Sequence, residues 1–148
     1  MRLRHDPAAE PPISLLGFDA LLGVPTAREF IELMRARSAP IKAVLLDQSV
    51  AAGVGNWIAD EVLYQARIDP RRRAASLSDT ELRRVRDKIR SVVAHAVRVG
   101  SDSDRFPRHW LFHDRWGKSD MAVTRRGDRI RYATIGGRTT AWVPRLQR

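Results

Sequence analysis

Two short glycine-containing stretches of this sequence could bind an anion. The first is Gly53-Val54-Gly55-Asn56, between an apolar helical segment and the predicted start of another helix. Glycine allows a tight turn and close approach of the backbone to a ligand. The unpaired N–H groups of a helix start, together with the Asn56 amide, favour a phosphate. The same residues also fit an ordinary helix hairpin in which Asn56 is only a cap, and this motif alone leaves both interpretations open.

The second stretch is Gly136-Gly137, which is followed at once by Arg138. A glycine hairpin carries almost no side chain at its tip, so the adjacent arginine could reach deep into a groove and bind phosphate oxygens. A solvated arginine beside a turn fits these residues equally well.

Helices are predicted on both sides of the first stretch. The segment that begins at Ile41 has an apolar face, and the helix that begins at Asn56 continues to about Arg67 before Pro70 stops it. The glycine turn is therefore expected to join two packed helices.

Two further helices have capping boxes at their starts. Thr26–Glu29 opens a helix that continues to about Arg37, and Ser78–Glu81 opens a long amphipathic helix that ends at Gly100. A shorter helix is predicted over Leu15–Leu22. After residue 100 the pattern favours strands, at Met121–Thr124, Ile130–Ile135 and Thr139–Val143. The predicted fold class is mainly α with a C-terminal antiparallel β-hairpin.

The composition favours a polyanionic partner. The 148 residues carry a net charge of +10, and because only three of the 27 basic residues are lysines, 24 are arginines. The planar guanidinium group matches phosphate oxygens and base edges better than an ammonium group does. Nucleic-acid binding is therefore favoured, while ribosomal and membrane-surface roles stay open.

Several other classes of site are disfavoured. Cysteine is absent, which excludes disulfides and thiolate zinc sites. His109 and His113 have the spacing of two ligands on one helical face, but too few other donors accompany them, so we predict no metal and no cofactor. No apolar run is long enough to cross a bilayer, and the first residues lack the apolar core of a signal peptide. We expect an intracellular protein, in the cytoplasm and nucleoid or in the nucleus.

Several segments between residues 41 and 70 stand at a fixed spacing: Ile41-Lys42, Leu45-Leu46-Asp47-Gln48, Gly53-Val54-Gly55-Asn56, Ala59-Asp60-Glu61-Val62-Leu63 and Ile68-Asp69-Pro70. Together they resemble the helix-two-turn-helix module of the formamidopyrimidine-DNA glycosylase and endonuclease VIII family of base-excision-repair enzymes. The tail resembles the zincless finger of plant and fungal members, a β-hairpin that keeps the shape of a zinc finger without its cysteines. Its residues are Gly136-Gly137-Arg138-Thr139-Thr140-Ala141-Trp142-Val143-Pro144.

The resemblance implies a division of the chain. Residues 1–13 would be a linker or remnant of a missing N-terminal domain. Residues 14–105 would form the helix-two-turn-helix DNA-binding domain, a helical bundle like that of one small-subunit ribosomal protein. Residues 106–148 would form the zincless-finger hairpin. The implied partner is double-stranded DNA with a lesion or an abasic site. The resemblance implies that the chain acts as a monomer and binds no membrane.

The resemblance also implies the site residues. Asn56 and the turn from Gly53 to Gly55 would hold phosphates beside the damaged nucleotide, and Lys42 would lie near the same backbone. Arg138 would bind phosphates beside the lesion and help to hold the flipped-out state. Because flipping a base costs roughly a few kcal/mol, phosphate contacts on both sides could offset that cost.

The sequence departs from the family pattern where the family carries its chemistry. Full-length members use an N-terminal proline as a secondary-amine nucleophile, followed by a catalytic glutamate, whereas this sequence begins Met1-Arg2-Leu3. We therefore expect a fragment or a truncated protein with no catalytic residue in this chain. The expected function is damaged-DNA binding by part of a glycosylase and AP lyase for oxidised purines or abasic sites. An RNA- or ribosome-binding module and a residual lyase activity stay open as alternatives.

Overall fold

The structure is a computed structural model that describes residues 17–148. The predicted linker, residues 1–13, lies outside the described residues. The elements in chain order are strand β1 (Phe18–Asp19), helices α1 (Ala27–Arg35) and α2 (Ile41–Leu46), strand β2 (Ala51–Ala52), helices α3 (Asn56–Ala66) and α4 (Asp79–Arg98), and strands β3 (Arg131–Ile135) and β4 (Arg138–Trp142). A 3-10 turn at Leu111–His113 precedes the final hairpin.

Both predicted capping boxes are confirmed. The side chains of Thr26 and Ser78 each accept the N–H of a glutamate three residues later, and that glutamate binds back to the cap. The buried face of α4 packs on α1 and α3 and closes the larger core. Although α4 has 20 residues, no helix within residues 17–148 combines the length and the apolar character needed to cross a membrane.

The predicted helix over Leu15–Leu22 is wrong for the part that the structure describes. Phe18–Asp19 instead pairs in parallel with Ala51–Ala52. The Asp19 side chain then accepts the N–H groups of Leu21 and Leu22, which turns the chain towards α1. The pairing with β1 holds Ala51–Ala52 in place just before the turn at Gly53.

The C-terminal hairpin lies along α3. β3 and β4 pair antiparallel, and the turn between them consists of Gly136 and Gly137, whose φ angles are +61° and +74°. The predicted strand Met121–Thr124 is reduced to a single bridge between Val123 and Arg129. The predicted class, mainly α with a C-terminal antiparallel hairpin, is confirmed.

Candidate nucleic-acid interface

The turn before α3 and the tip of the hairpin line one open cavity. The cavity has a volume of about 530 Å³, and Gly53, Gly55 and the exposed Arg138 all line it. The other lining residues are Leu46, Gln48, Val54 and Gly136. The structure therefore brings Arg138 together with Gly53 and Gly55, from which it is distant in sequence.

The start of α3 leaves backbone donors unpaired beside this cavity. Gly55 is the N-cap and has no side chain to accept them, and the first helical bond runs from the Ala59 N–H to the Gly55 carbonyl, at 2.9 Å. The N–H groups of Asn56 and Trp57 therefore have no hydrogen-bond partner among residues 17–148. Since a helix start also carries partial positive charge, it favours an anion.

The shape of the glycine turn is maintained by Gln48. Gly53 has a φ of +92°, which glycine adopts readily. Its N–H donates to Gln48 Oε1 at 2.9 Å, and Gln48 Nε2 donates to the Val54 carbonyl at 3.0 Å. One carboxamide thus bridges both sides of the turn, a role that no local pattern in the sequence indicates.

Asn56 connects the turn to the hairpin. It is the first helical residue, and Gly55 rather than Asn56 is the cap. Its Nδ2 donates to the Thr139 carbonyl at 3.0 Å, whereas its Oδ1 is buried without a partner within the described chain. The amide was expected to point out of the protein, but one of its two hydrogens is used by the hairpin, which leaves at most one for a ligand.

Lys42 does not line this cavity. Its ammonium group is fully buried, 2.5 Å from Asp60 Oδ1, and it donates to Thr140 Oγ1 at 2.8 Å. Burial lowers the pKa of Lys42, and the Asp60 carboxylate opposes that shift. Because 0% of the side chain is exposed, Lys42 has no surface with which to touch a phosphate, and it binds the hairpin instead.

Asp60 lies at the centre of a buried charged cluster, which consists of Lys42, Asp60, Arg115 and Thr140. Its Oδ2 accepts a hydrogen bond from Arg115 Nη2 at 2.7 Å and another from the Ala141 N–H at 3.0 Å. Sequence reasoning included Asp60 only as part of a family match. Members of the cluster are up to 98 positions apart, so no local signal could have shown that they meet.

Glu61, the neighbour of Asp60, is buried and has different partners. Its carboxylate accepts the N–H groups of Leu111 at 3.2 Å and Phe112 at 2.7 Å, and the side-chain amide of Gln65 at 3.0 Å. Desolvation raises the pKa of Glu61 to about 7 although these hydrogen bonds oppose the shift. Glu61 therefore anchors the 3-10 turn that leads into the hairpin.

Comparison with known proteins identifies relatives of this chain. Residues 16–107 match the family model of the formamidopyrimidine-DNA glycosylase H2TH domain. The chain is 47% identical, over its full length, to a formamidopyrimidine-DNA glycosylase of Arabidopsis thaliana, of which it covers 38%. It is 33% identical to the Listeria monocytogenes protein of the same name, with 92% of this chain and 53% of that protein covered.

Solved structures have the same fold. The MutM (Fpg) protein of Thermus thermophilus superposes with a TM-score of 0.77 at 32% identity, over 97% of this chain and 58% of that one. The Lactococcus lactis Fpg protein, in complex with DNA that contains an abasic site, gives 0.74 at 26% identity, over 90% and 52%. The chain spans from 38% to 58% of the length of these four relatives. The family match and the shared fold show that this chain belongs to the formamidopyrimidine-DNA glycosylase family.

Proposed function

We propose that this chain binds duplex DNA at a damaged or abasic nucleotide, as the DNA-holding part of a base-excision-repair glycosylase and AP lyase. The proposal rests on the convergence of the unpaired N–H groups at the start of α3 and the exposed Arg138 on one cavity. A phosphate there would accept hydrogen bonds from both sides. The abasic-site DNA bound to the Lactococcus lactis relative supports this choice of partner.

The proposed phosphate contacts come from both halves of the chain. Residues 14–105 supply Asn56 and the turn from Gly53 to Gly55, in which Gly53 shapes the turn because its N–H is bonded to Gln48. Residues 106–148 supply Arg138. These groups hold the DNA backbone and do not read base identity. Lys42 contributes indirectly, through its bonds to the buried charged cluster. We expect a monomer, in the compartment that holds the DNA: the bacterial cytoplasm and nucleoid, or a nucleus.

The proposed role is binding without catalysis. Attack on the aldehyde of an abasic sugar needs an uncharged amine that reaches the sugar. The Lys42 amine is 0% exposed and is bonded to Asp60 and Thr140, so it does not reach a sugar. Incubation with abasic DNA and borohydride should therefore yield no covalent adduct at Lys42, and any adduct would support the lyase alternative.

Fluorescence anisotropy tests the proposed binding. A short duplex with a central tetrahydrofuran abasic analogue is compared with the intact duplex and with a structured RNA, at two salt concentrations. We expect tighter binding to the abasic duplex, and weaker binding of every duplex at higher salt. Equal affinity for the abasic and intact duplexes, or tighter binding to the RNA, would contradict the proposal.

A further inference from the structure

One face of α3 covers the open edge of β4. Asn56 and Asp60 are four residues apart, so their side chains lie on one helical face about 6 Å apart along the axis. Asn56 binds the Thr139 carbonyl, and Asp60 binds the Ala141 N–H, each at 3.0 Å. Those two strand residues are two apart, so both backbone groups point to the same edge of β4. Because a slip of β4 by one residue would turn these groups to the opposite edge, it would break both bonds.

Asp60 is itself held from two other directions. Lys42 approaches its Oδ1 from α2, at 2.5 Å, and Arg115 approaches its Oδ2 from the segment before the hairpin, at 2.7 Å. Lys42 also donates to Thr140 on β4. The cluster thus joins α2, α3, β4 and the segment before β3 that contains Arg115. None of its four side chains is more than 6% exposed.

The charges in this cluster specify geometry more than they add stability. Buried ion pairs can often be replaced by apolar side chains of similar volume with little or no loss of stability. A buried charge that loses its partner is strongly unfavourable, however, so the cluster penalises any arrangement in which its bonds are not made. The alignment of β4 against α3 is therefore tightly defined.

This alignment determines where Arg138 stands. The hairpin tip is seated on α2, since a Cβ atom at Gly136 would lie only 3.2 Å from the Cα atom of Ala43. Arg138 lies two residues after Gly136 and two residues before Thr140. Movement of β4 would consequently move Arg138 relative to the N–H groups at the start of α3.

We propose that Asp60 is a positioning residue for DNA binding, which holds β4 in register along α3 and so sets the place of Arg138 across the cavity. The role in DNA binding rests on the proposed function above. Asp60 is 1% exposed and does not touch the DNA. It acts through the hairpin.

The free protein provides the first test. Asp60→Asn is compared with Glu61→Gln, which neutralises the neighbouring, equally buried carboxylate that binds residues 111 and 112. NMR spectra of the free Asp60→Asn variant should show amide shift changes at residues 136–139, and those of Glu61→Gln should not. Unchanged shifts at residues 136–139 in folded Asp60→Asn would overturn the inference.

DNA binding provides the second test, through a double-mutant cycle with Arg138→Ala. At a temperature where every variant is folded, Asp60→Asn should lower the preference for abasic over intact duplex roughly tenfold, as Arg138→Ala does. The double variant should lose no more than Arg138→Ala alone, because Asp60 acts through Arg138. Losses that multiply, or a parent-like preference in Asp60→Asn, would overturn the inference.

A milder variant decides the question if Asp60→Asn does not fold. Thr140→Val keeps all three charges and removes the hydroxyl that accepts from Lys42 and also donates to the Arg138 carbonyl at 3.3 Å, so it should lower the preference roughly threefold. A parent-like preference would overturn the inference. A parent chain that does not prefer the abasic duplex would refute the proposed function instead. In that case the NMR spectra of the free protein would still decide whether the cluster positions the hairpin. Those spectra can be recorded on Thr140→Val if Asp60→Asn does not fold.

Discussion

The side-chain amide of Asn56 donates a hydrogen bond of 3.0 Å to the carbonyl of Thr139, although the two residues are 83 positions apart. This bond ties the first residue of α3 to the residue that follows Arg138. The turn and the hairpin therefore form one structural unit around the cavity. Substitutions that leave this unit intact but change its donors should alter binding without unfolding the protein.

Removal of the Arg138 guanidinium should weaken binding to the abasic duplex about tenfold and reduce the slope of log affinity against log salt by about 1. Arg138 is exposed and has no ion-pair partner among residues 17–148, so the free energy of unfolding should change little. Arg28→Ala is the control, because it removes the same charge from an exposed position on α1. Equal effects of both variants on anisotropy would contradict a specific role of Arg138.

Gly55→Ser should separate stability from binding. A Cβ at Gly55 meets no atom within 4 Å, so the side chain fits in the free protein. A serine cap should stabilise α3 by about a few tenths of a kcal/mol, yet it occupies the N–H groups that we assign to a phosphate. We expect higher stability in urea denaturation and weaker binding to the abasic duplex.

Gly55→Ala provides the control for side-chain bulk at the same position. Alanine has no capping oxygen, so it should cost on the order of 0.5 kcal/mol of stability while leaving the N–H groups free to bind DNA. If the serine and alanine variants bind DNA equally well, the N–H groups do not contact phosphate.

Glu61 should make stability depend on pH. Its pKa is raised from 4.5 to about 7 by burial, so the folded protein holds this proton more tightly than the unfolded chain does. The contribution of Glu61 to the free energy of unfolding should therefore fall as the pH rises from about 4.5 to about 7. At about 1.4 kcal/mol per pKa unit, the loss is on the order of 3 kcal/mol.

Glu61→Gln removes the titrating group, and urea denaturation at several pH values should show a flatter dependence of stability on pH than in the parent. Glu32→Gln, at an exposed position on α1, should keep the parent dependence. A Glu61→Gln variant that keeps the parent dependence would show that Glu61 does not titrate in this range.

The two glycines of the hairpin tip should respond differently to alanine. Both have positive φ angles, which cost an L-residue about 1 kcal/mol or more. Only a Cβ at Gly136 also meets Ala43, at 3.2 Å, whereas one at Gly137 lies in open space. Gly136→Ala should therefore be less stable than Gly137→Ala by roughly 1 kcal/mol and should lose more of the abasic preference. Thermal unfolding measures the difference in stability, and fluorescence anisotropy measures the difference in abasic preference. Equal stability and equal preference of the two variants would contradict the packing of the hairpin tip on α2.

Elements with local signals could be predicted from the sequence. The capping boxes place the starts of α1 and α4 correctly, because the bonds of a capping box join residues only three positions apart. The Gly136-Gly137 pair likewise indicates the hairpin turn, since positive φ angles favour glycine. The two-residue strand β1 could not be predicted, because a strand that short has no periodicity.

Contacts between distant positions could not be predicted. A lysine usually lies at the surface, and nothing near Lys42 in sequence indicates that Asp60 and Thr140 enclose its ammonium group. The same holds for Asn56, whose partner Thr139 lies in another part of the chain. The sequence thus predicts the turn and the arginine, and the structure adds the contacts that align them.

The most direct measurement is an NMR titration of the isotope-labelled chain with the abasic duplex, with the intact duplex in parallel. We predict that the backbone amides of residues 53–57 and 136–139 shift most, that they saturate together, and that the intact duplex produces smaller changes at the same concentrations. Largest shifts on another surface, such as the exposed arginines of α4, with no difference between the two duplexes, would contradict a DNA clamp built from the turn and the hairpin.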